Sequence, residues 1–301
     1  MPPPSASGPN ISGFLDAIEK HQVTTVLLIP VLLHLLVAES TFSSRKLDSL
    51  GAVMIGADII TKDIFGKTRA AFPHSRVSCA HGMTETGGVV TWPFHDTPVE
   101  GIPCLGEVCP LGVPAPGVRV RICEAGSEKV TKRGEPGELC FSAEAVAKHY
   151  LDHVNEQSFF SDTSGRRWFR TGDLGAVNND GVVFILGRIK DVVKRGGLSI
   201  TPAALESCIT EFVGSVACVV AVPHAVLGQE PFAVVQERNG KTDEEICARV
   251  VELFGKDYAL AGVASLEQLG VTDFPLNATA KILKFELEQR VVELQRRGQG
   301  S

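Results

Sequence analysis

Residues 23–38 read VTTVLLIPVLLHLLVA, and the fold class turns on this stretch. An apolar run of this length invites comparison with a membrane span. It falls short of the ~20 residues a spanning helix needs, and Pro30 and His34 interrupt it. Val23–Ile29 is rich in β-branched residues and reads as a buried strand. Proline suits the first turn of a helix, where a missing N–H costs nothing, so a helix should run from Pro30 to about Ala38. A strand followed at once by a helix is the repeating unit of a parallel sheet with crossover connections.

The same alternation extends outward from there. A helix over 13–21 precedes the run, and strands near 52–55 and 77–79 flank a helix over 61–72. From 106 to 186 the texture changes to short strands (118–123, 137–142, 182–186) punctuated by Pro114, Pro116, Gly134 and Pro136, a mainly β lobe. After Gly187 a compact unit follows. It has a hairpin-like 192–200, a helix opening at Thr201-Pro202, strands over 216–222 and 232–236, a helix over 243–254 and a last helix from about 278 to 297. The expected fold class is α/β: a partial large amino-terminal domain over 11–188, made of a parallel sheet with helices plus a β-rich lobe, then a small α+β carboxyl-terminal domain over 189–301. Residues 1–10, MPPPSASGPN, read as a disordered leader.

Composition narrows the function. The 301 residues are 44% hydrophobic and 21% charged, with a mean hydropathy of +0.12, enough to bury a sizeable core. A net charge of -6 offers no basic surplus, so nothing argues for nucleic-acid binding. The eight cysteines contain no CxxC pair and sit mostly in apolar runs, as reduced buried thiols do. His149 and His153 are spaced like two zinc ligands on a helix, but no third ligand completes a set. Asn10 and Asn277 head glycosylation sequons with no secretory signal to give them meaning.

Four segments carry chemistry. Residues 80–88, AHGMTETGG, form a Gly/Thr-rich loop after a strand, in which Thr84 offers a hydroxyl to a phosphate and Glu85 a carboxylate to a hard cation. In FRTGDL (169–174), Asp173 on a Thr-Gly turn can accept two hydrogen bonds from a vicinal diol. GRIKDVVKRGG (187–197), with Glu206 following in TPAALE, and PLNATAKILK (275–284) complete the series. In this order and at these separations, the set resembles the adenylate-forming superfamily of acyl-CoA synthetases, aryl-CoA ligases, luciferase and peptide-synthetase adenylation domains, over nearly everything from Gly13 to about Leu287.

The resemblance implies an acyl-CoA ligase that uses ATP, Mg2+ and CoA to activate a carboxylic acid through an acyl-adenylate. Gly56 and Ala57 would line the adenine and acyl pocket, with His81 and Gly82 beside the adenine. Thr84 would bind the α-phosphate and Glu85 the magnesium. Asp173 would clamp the ribose and Arg188 support the ribose or phosphate. Lys190 would be the hinge about which the small domain turns, and Gly196 and Gly197 would line the CoA channel. Lys281 would enter for adenylation, and Lys194 would face the site during thioester formation.

The sequence departs from the family in three places. The Ser/Thr/Gly-rich phosphate loop ending in Pro-Lys-Gly, normally far upstream, is not found before His81. His81 stands where CoA ligases usually place tyrosine, and Ala280 replaces the glycine before the catalytic lysine. A missing amino-terminal half is therefore expected, with the strands at 23–29 and 52–55 left short of neighbours. Two other readings are an inactive or partner-dependent remnant and an enzyme that loads a carrier protein. Cytoplasm is the expected location. The peroxisome is the alternative, although Gln299-Gly300-Ser301 is no peroxisomal signal.

Overall fold

A computed structural model describes residues 10–151, 156–277 and 281–299. The leader 1–9, His153, Ala280 and residues 300–301 lie outside these. The chain begins with α1 (Ile11–His21), β1 (Thr25–Leu28), α2 (Pro30–Ala38), β2 (Ala52–Gly56), α3 (Lys62–Ala71) and β3 (Arg76–Ala80). The run that decided the fold class is thus a strand and a helix with proline at its start. α1 begins two residues earlier than expected. The Asn10 side chain accepts the Gly13 N–H at 2.8 Å, so this sequon asparagine is an N-cap.

The three strands pair in parallel in the order β1-β2-β3. Right-handed crossovers that step in one direction leave α2 and α3 on the same face of the sheet. Accordingly Val26, Leu28, Val53, Ile55, Val77 and Cys79 share one core with Leu15, Ile18, Leu33, Leu36, Ile64 and Phe65 from the three helices. The alternate strand positions point to the opposite face, where Leu27 is 56% exposed. Parallel sheets are ordinarily covered on both faces. The expectation of strands short of neighbours holds in part: among the described residues β1 ends the sheet, but β2 is flanked by β1 and β3.

His34 is half-buried on α2. Burial first, and then the Lys67 ammonium, hold its pKa below the ordinary histidine value, against a weaker pull upward from Asp63. A depressed folded pKa means that the unfolded chain takes up the proton first, so stability is lost as pH falls below about 6.5. Urea midpoints at about pH 7 and about pH 5.5 should therefore separate less in His34→Gln than in the parent chain. An equal separation in both would assign the acid loss elsewhere.

Two short pairs follow: β4 (Gly82–Met83) with β5 (Gly87–Gly88), and β6 (Val90–Thr91) with β7 (Val113–Pro114). The β lobe is built from β8 (Arg119–Cys123), β9 (Gly137–Ser142), β10 (Phe159–Ser161), β11 (Arg167–Val177) and β12 (Val183–Arg188), in the order β10-β11-β9-β8 with β12 beside β11.

The chain forms two compact units. The second runs from Leu186 onward and includes Gly172–Leu174. It contains β13 (Val193–Arg195), β14 (Leu198–Ile200), α4 (Pro202–Val213), β15 (Ala217–His224), β16 (Gly228–Val235), α5 (Asp243–Phe254), β17 (Val263–Ser265) and α6 (Lys284–Gln299). Along β15, Ala217 and Val219 enter a core with Leu205, Ile209, Ile246 and Val250. Cys218, Val220 and Val222 enter a second core with Leu287 and Val291. Burial on both faces explains why this strand reads as an unbroken apolar run. Two expectations change here. Thr201 stands at the N-cap of α4, but its hydroxyl makes no capping bond. α6 begins at Lys284, so Lys281 precedes the last helix rather than riding on it. Among the described residues no helix is long and apolar enough to cross a membrane.

Candidate nucleotide site

In the first unit, Gly56 ends β2 and Ala80, its register partner, ends β3. A Cβ on residue 56 would collide with the carbonyl oxygen of Ala80, so the close approach of the two strand ends demands glycine. Ala57 follows at φ +64, a left-handed conformation that side chains avoid. Two predicted segments, 56–57 and 80–88, thus leave the carboxyl ends of adjacent parallel strands, where open α/β sheets bind ligands.

The His81 ring lies 5.9 Å from that of Phe141, tilted by 33°. Gly82 pairs with Gly88, and the turn between carries Thr84, exposed, and Glu85. The Glu85 carboxylate accepts the Tyr150 phenol at 2.7 Å, and its backbone carbonyl accepts the Ala147 N–H at 2.7 Å. Tyr150 in turn meets Phe159 edge-on at 5.4 Å, and Phe159 meets Phe169 of β11 at 5.1 Å. Sequence reading missed Tyr150, since no local pattern ties a residue to a partner so far along the chain.

In the second unit, Asp173 is not on a β-turn. It lies inside the long strand β11, just after Gly172, whose φ of +70 marks a local break in the extended backbone. Its side chain is 7% exposed, and Arg188 Nε donates to Asp173 Oδ1 at 3.0 Å. Lys190 is exposed in the single 3-10 turn Ile189–Asp191. Lys194 projects from β13, and its Nζ donates to Ser199 Oγ at 2.7 Å. Gly196 and Gly197, at φ +54 and +90, form the two-residue hairpin turn that such angles favour.

Lys281 is clasped by its backbone. Its N–H donates to Asn277 Oδ1 at 3.0 Å, and its carbonyl accepts the Asn277 N–H at 2.9 Å. Leu283 N–H donates to the Pro275 carbonyl at 2.8 Å, and Leu276 bridges Ile282. The second sequon asparagine is therefore also a structural residue. Lys281 itself is exposed, whereas Lys284 is not presented to solvent in the same way. Its Nζ donates to Glu206 Oε1 at 2.6 Å and approaches the Val219 carbonyl at 3.4 Å. Burial pulls the Lys284 pKa down, but Glu206, Cys218 and Asp191 together outweigh it and the group ends well above the ordinary lysine value.

A family model described as AMP-binding enzyme matches residues 1–151. This chain belongs to the AMP-binding enzyme family. It is 39% identical over 285 residues to an acyl–CoA ligase of Pestalotiopsis microspora, covering 95% of this chain and 49% of the relative. It is 29% identical over 289 residues to 4-coumarate–CoA ligase 3 of Arabidopsis thaliana, covering 93% and 49%. Among solved structures, ATP-bound MatB from Rhodopseudomonas palustris matches with a TM-score of 0.78 and 25% identity, over 95% of this chain and 54% of that one. The chain spans about half the length of the curated relatives it matches.

The strand ends at 56–57 and 80–88 present backbone and hydroxyl groups on the same side of the sheet's carboxyl edge. Asp173 presents a carboxylate already held by an arginine. The carboxylate of Glu85, oriented by a phenol, is the donor type a hard cation takes.

Proposed function

We propose that this chain is part of an AMP-forming acid–thiol ligase in which ATP activates a carboxylic acid for transfer to CoA. The observation that carries the reading is the contrast within AKILK. Lys284 is tied down by Glu206, while Lys281, three residues earlier, is held at its backbone and left with an exposed side chain. A presented ammonium beside an anchored one suits a cation delivered to developing negative charge.

In the first half-reaction the acid's carboxylate oxygen attacks the α-phosphorus of ATP, and pyrophosphate leaves. In the second, the CoA thiolate attacks the acyl carbonyl and AMP leaves. Gly56, Ala57, His81 and Gly82 line the base, Thr84 hydrogen-bonds the α-phosphate, and Asp173 with Arg188 holds the ribose. Glu85 would hold magnesium, which would supply charge neutralisation at the phosphates. The small domain turns about Lys190, bringing Lys281 for adenylation and Lys194 for thioester formation, with Gly196 and Gly197 along the path of CoA. One observation favours a partner-dependent version of this activity: among the described residues β1 ends the sheet and Leu27 is 56% exposed on its uncovered face.

Acid-dependent exchange of pyrophosphate into ATP tests the reading across fatty, aryl and hydroxy acids. Lys281→Ala is expected to lower exchange about 10²–10³-fold, the usual loss for one donor aimed at transition-state charge. Exchange that survives this substitution unchanged would remove Lys281 from the chemistry. No exchange with any acid, restored by adding the part of the Pestalotiopsis relative outside the match, would select the partner-dependent version.

A further inference from the structure

Leu105 and Val108 exchange both backbone hydrogen bonds, at 2.9 and 3.1 Å, around Gly106-Glu107, with Gly106 at φ +59. In an antiparallel pair, the next residues outward from a hydrogen-bonded pair form a non-hydrogen-bonded one. There the Cα atoms come to about 4.5 Å and the side chains share a face. Cys104 and Cys109 hold those positions, and their sulfurs stand 3.7 Å apart. A disulfide needs about 2.05 Å between sulfurs and a Cα separation of roughly 4.4–6.8 Å. Side-chain rotation is therefore enough to close the bond. The backbone is also pinned: Cys109 N–H donates to the Ile60 carbonyl and Lys62 N–H to the Glu107 carbonyl, both at 2.8 Å.

We propose that Cys104 and Cys109 are an oxidisable dithiol that closes to an intramolecular disulfide when the chain meets a small-molecule disulfide. Cys104 is partly exposed and Cys109 is 3% exposed, so the reaction starts at Cys104. Its thiolate attacks one sulfur of oxidised glutathione, forming a mixed disulfide and releasing one glutathione thiolate. Cys109 then gives its proton to water and attacks the Cys104 sulfur, expelling the second glutathione thiolate. The protein loses two hydrogens, and one glutathione disulfide becomes two thiols. Burial, reinforced by Cys104, holds the Cys109 thiol far above its ordinary pKa, so the second step is the slow one. Because the hairpin is bonded to residues 60 and 62, closure locks the segment that follows the Gly56-Ala57 strand end.

The test uses the folded full chain, oxidised glutathione, alkylation of remaining thiols and mass mapping of peptides. Two of the eight cysteines should become resistant to alkylation, joined as Cys104–Cys109 and released by reductant. Amide exchange at Lys62 and Cys109 should slow in the oxidised form. Cys109→Ser should stop at a glutathione adduct on Cys104, and Cys104→Ser should leave Cys109 unmodified. Cys79→Ser removes the buried third thiol of the same core and should still lose the same two thiols. Full alkylation of both cysteines after oxidation, a bond to Cys79 instead, or a mixed disulfide that never resolves in the parent chain would overturn the proposal.

Discussion

Glu206→Ala is expected to destabilise the second unit by about 2–3 kcal/mol, read as a lower urea midpoint at unchanged slope. One carboxylate oxygen of Glu206 accepts both Lys284 Nζ at 2.6 Å and the Val219 N–H at 2.7 Å. Removing it strands an ammonium and a strand amide in surroundings where the two side chains are only 26% and 20% exposed. Cutting one partner from a fully buried ion pair costs roughly 3–5 kcal/mol, and this partial exposure trims the figure. Lys284→Met should cost less, because the carboxylate keeps the Val219 N–H and the methionine refills the space. Lys281→Met, on an exposed side chain, should cost almost nothing. If all three variants melt alike, the anchoring role of Glu206 is wrong.

Asp173→Ala should weaken AMP binding about 100-fold. Two hydrogen bonds from ribose hydroxyls to a carboxylate are together worth about 3 kcal/mol, and every 1.4 kcal/mol is tenfold. The strand position makes this a clean experiment. Asp173 lies within β11, and the side chain of Arg188, which pairs with it at 3.0 Å, is already 43% exposed, so water can solvate it once its partner is gone. Calorimetric titration with AMP reads the change directly. Equal affinity in parent and variant, or no AMP binding by the parent, would count against Asp173 as the ribose clamp.

Much of this molecule was legible along the chain because its signals are local. Proline at the head of VLLHLLVA marked a helix start after a strand. The Gly-Gly at 196–197 turns the hairpin expected over 192–200. The boundaries that moved did so for local reasons that sequence does not rank. Asn10 caps the first helix through the Gly13 N–H and so sets its start at Ile11. The Asn277 clasp and the Leu276–Ile282 bridge hold Lys281, Ile282 and Leu283 out of the last helix. Asp173 was misread as a turn residue because Thr-Gly-Asp favours turns in isolation, and strand pairing on both sides overrode that preference.

What sequence alone determined here is the set of chemical groups and their order: the glycines, the carboxylates, the two lysines and the family they indicate. Tertiary structure decided which of them are anchored and which are presented. The resemblance singles out Lys281 in AKILK, but that Lys284 is the anchored one emerges only when Glu206 and Val219 approach from elsewhere in the fold. Nothing in the cysteine spacing reveals that Cys104 and Cys109 face each other until a two-residue turn folds them together. The reason is common to both. A side chain's type is a property of the chain, whereas its burial and its partner arise only when segments distant in sequence pack together.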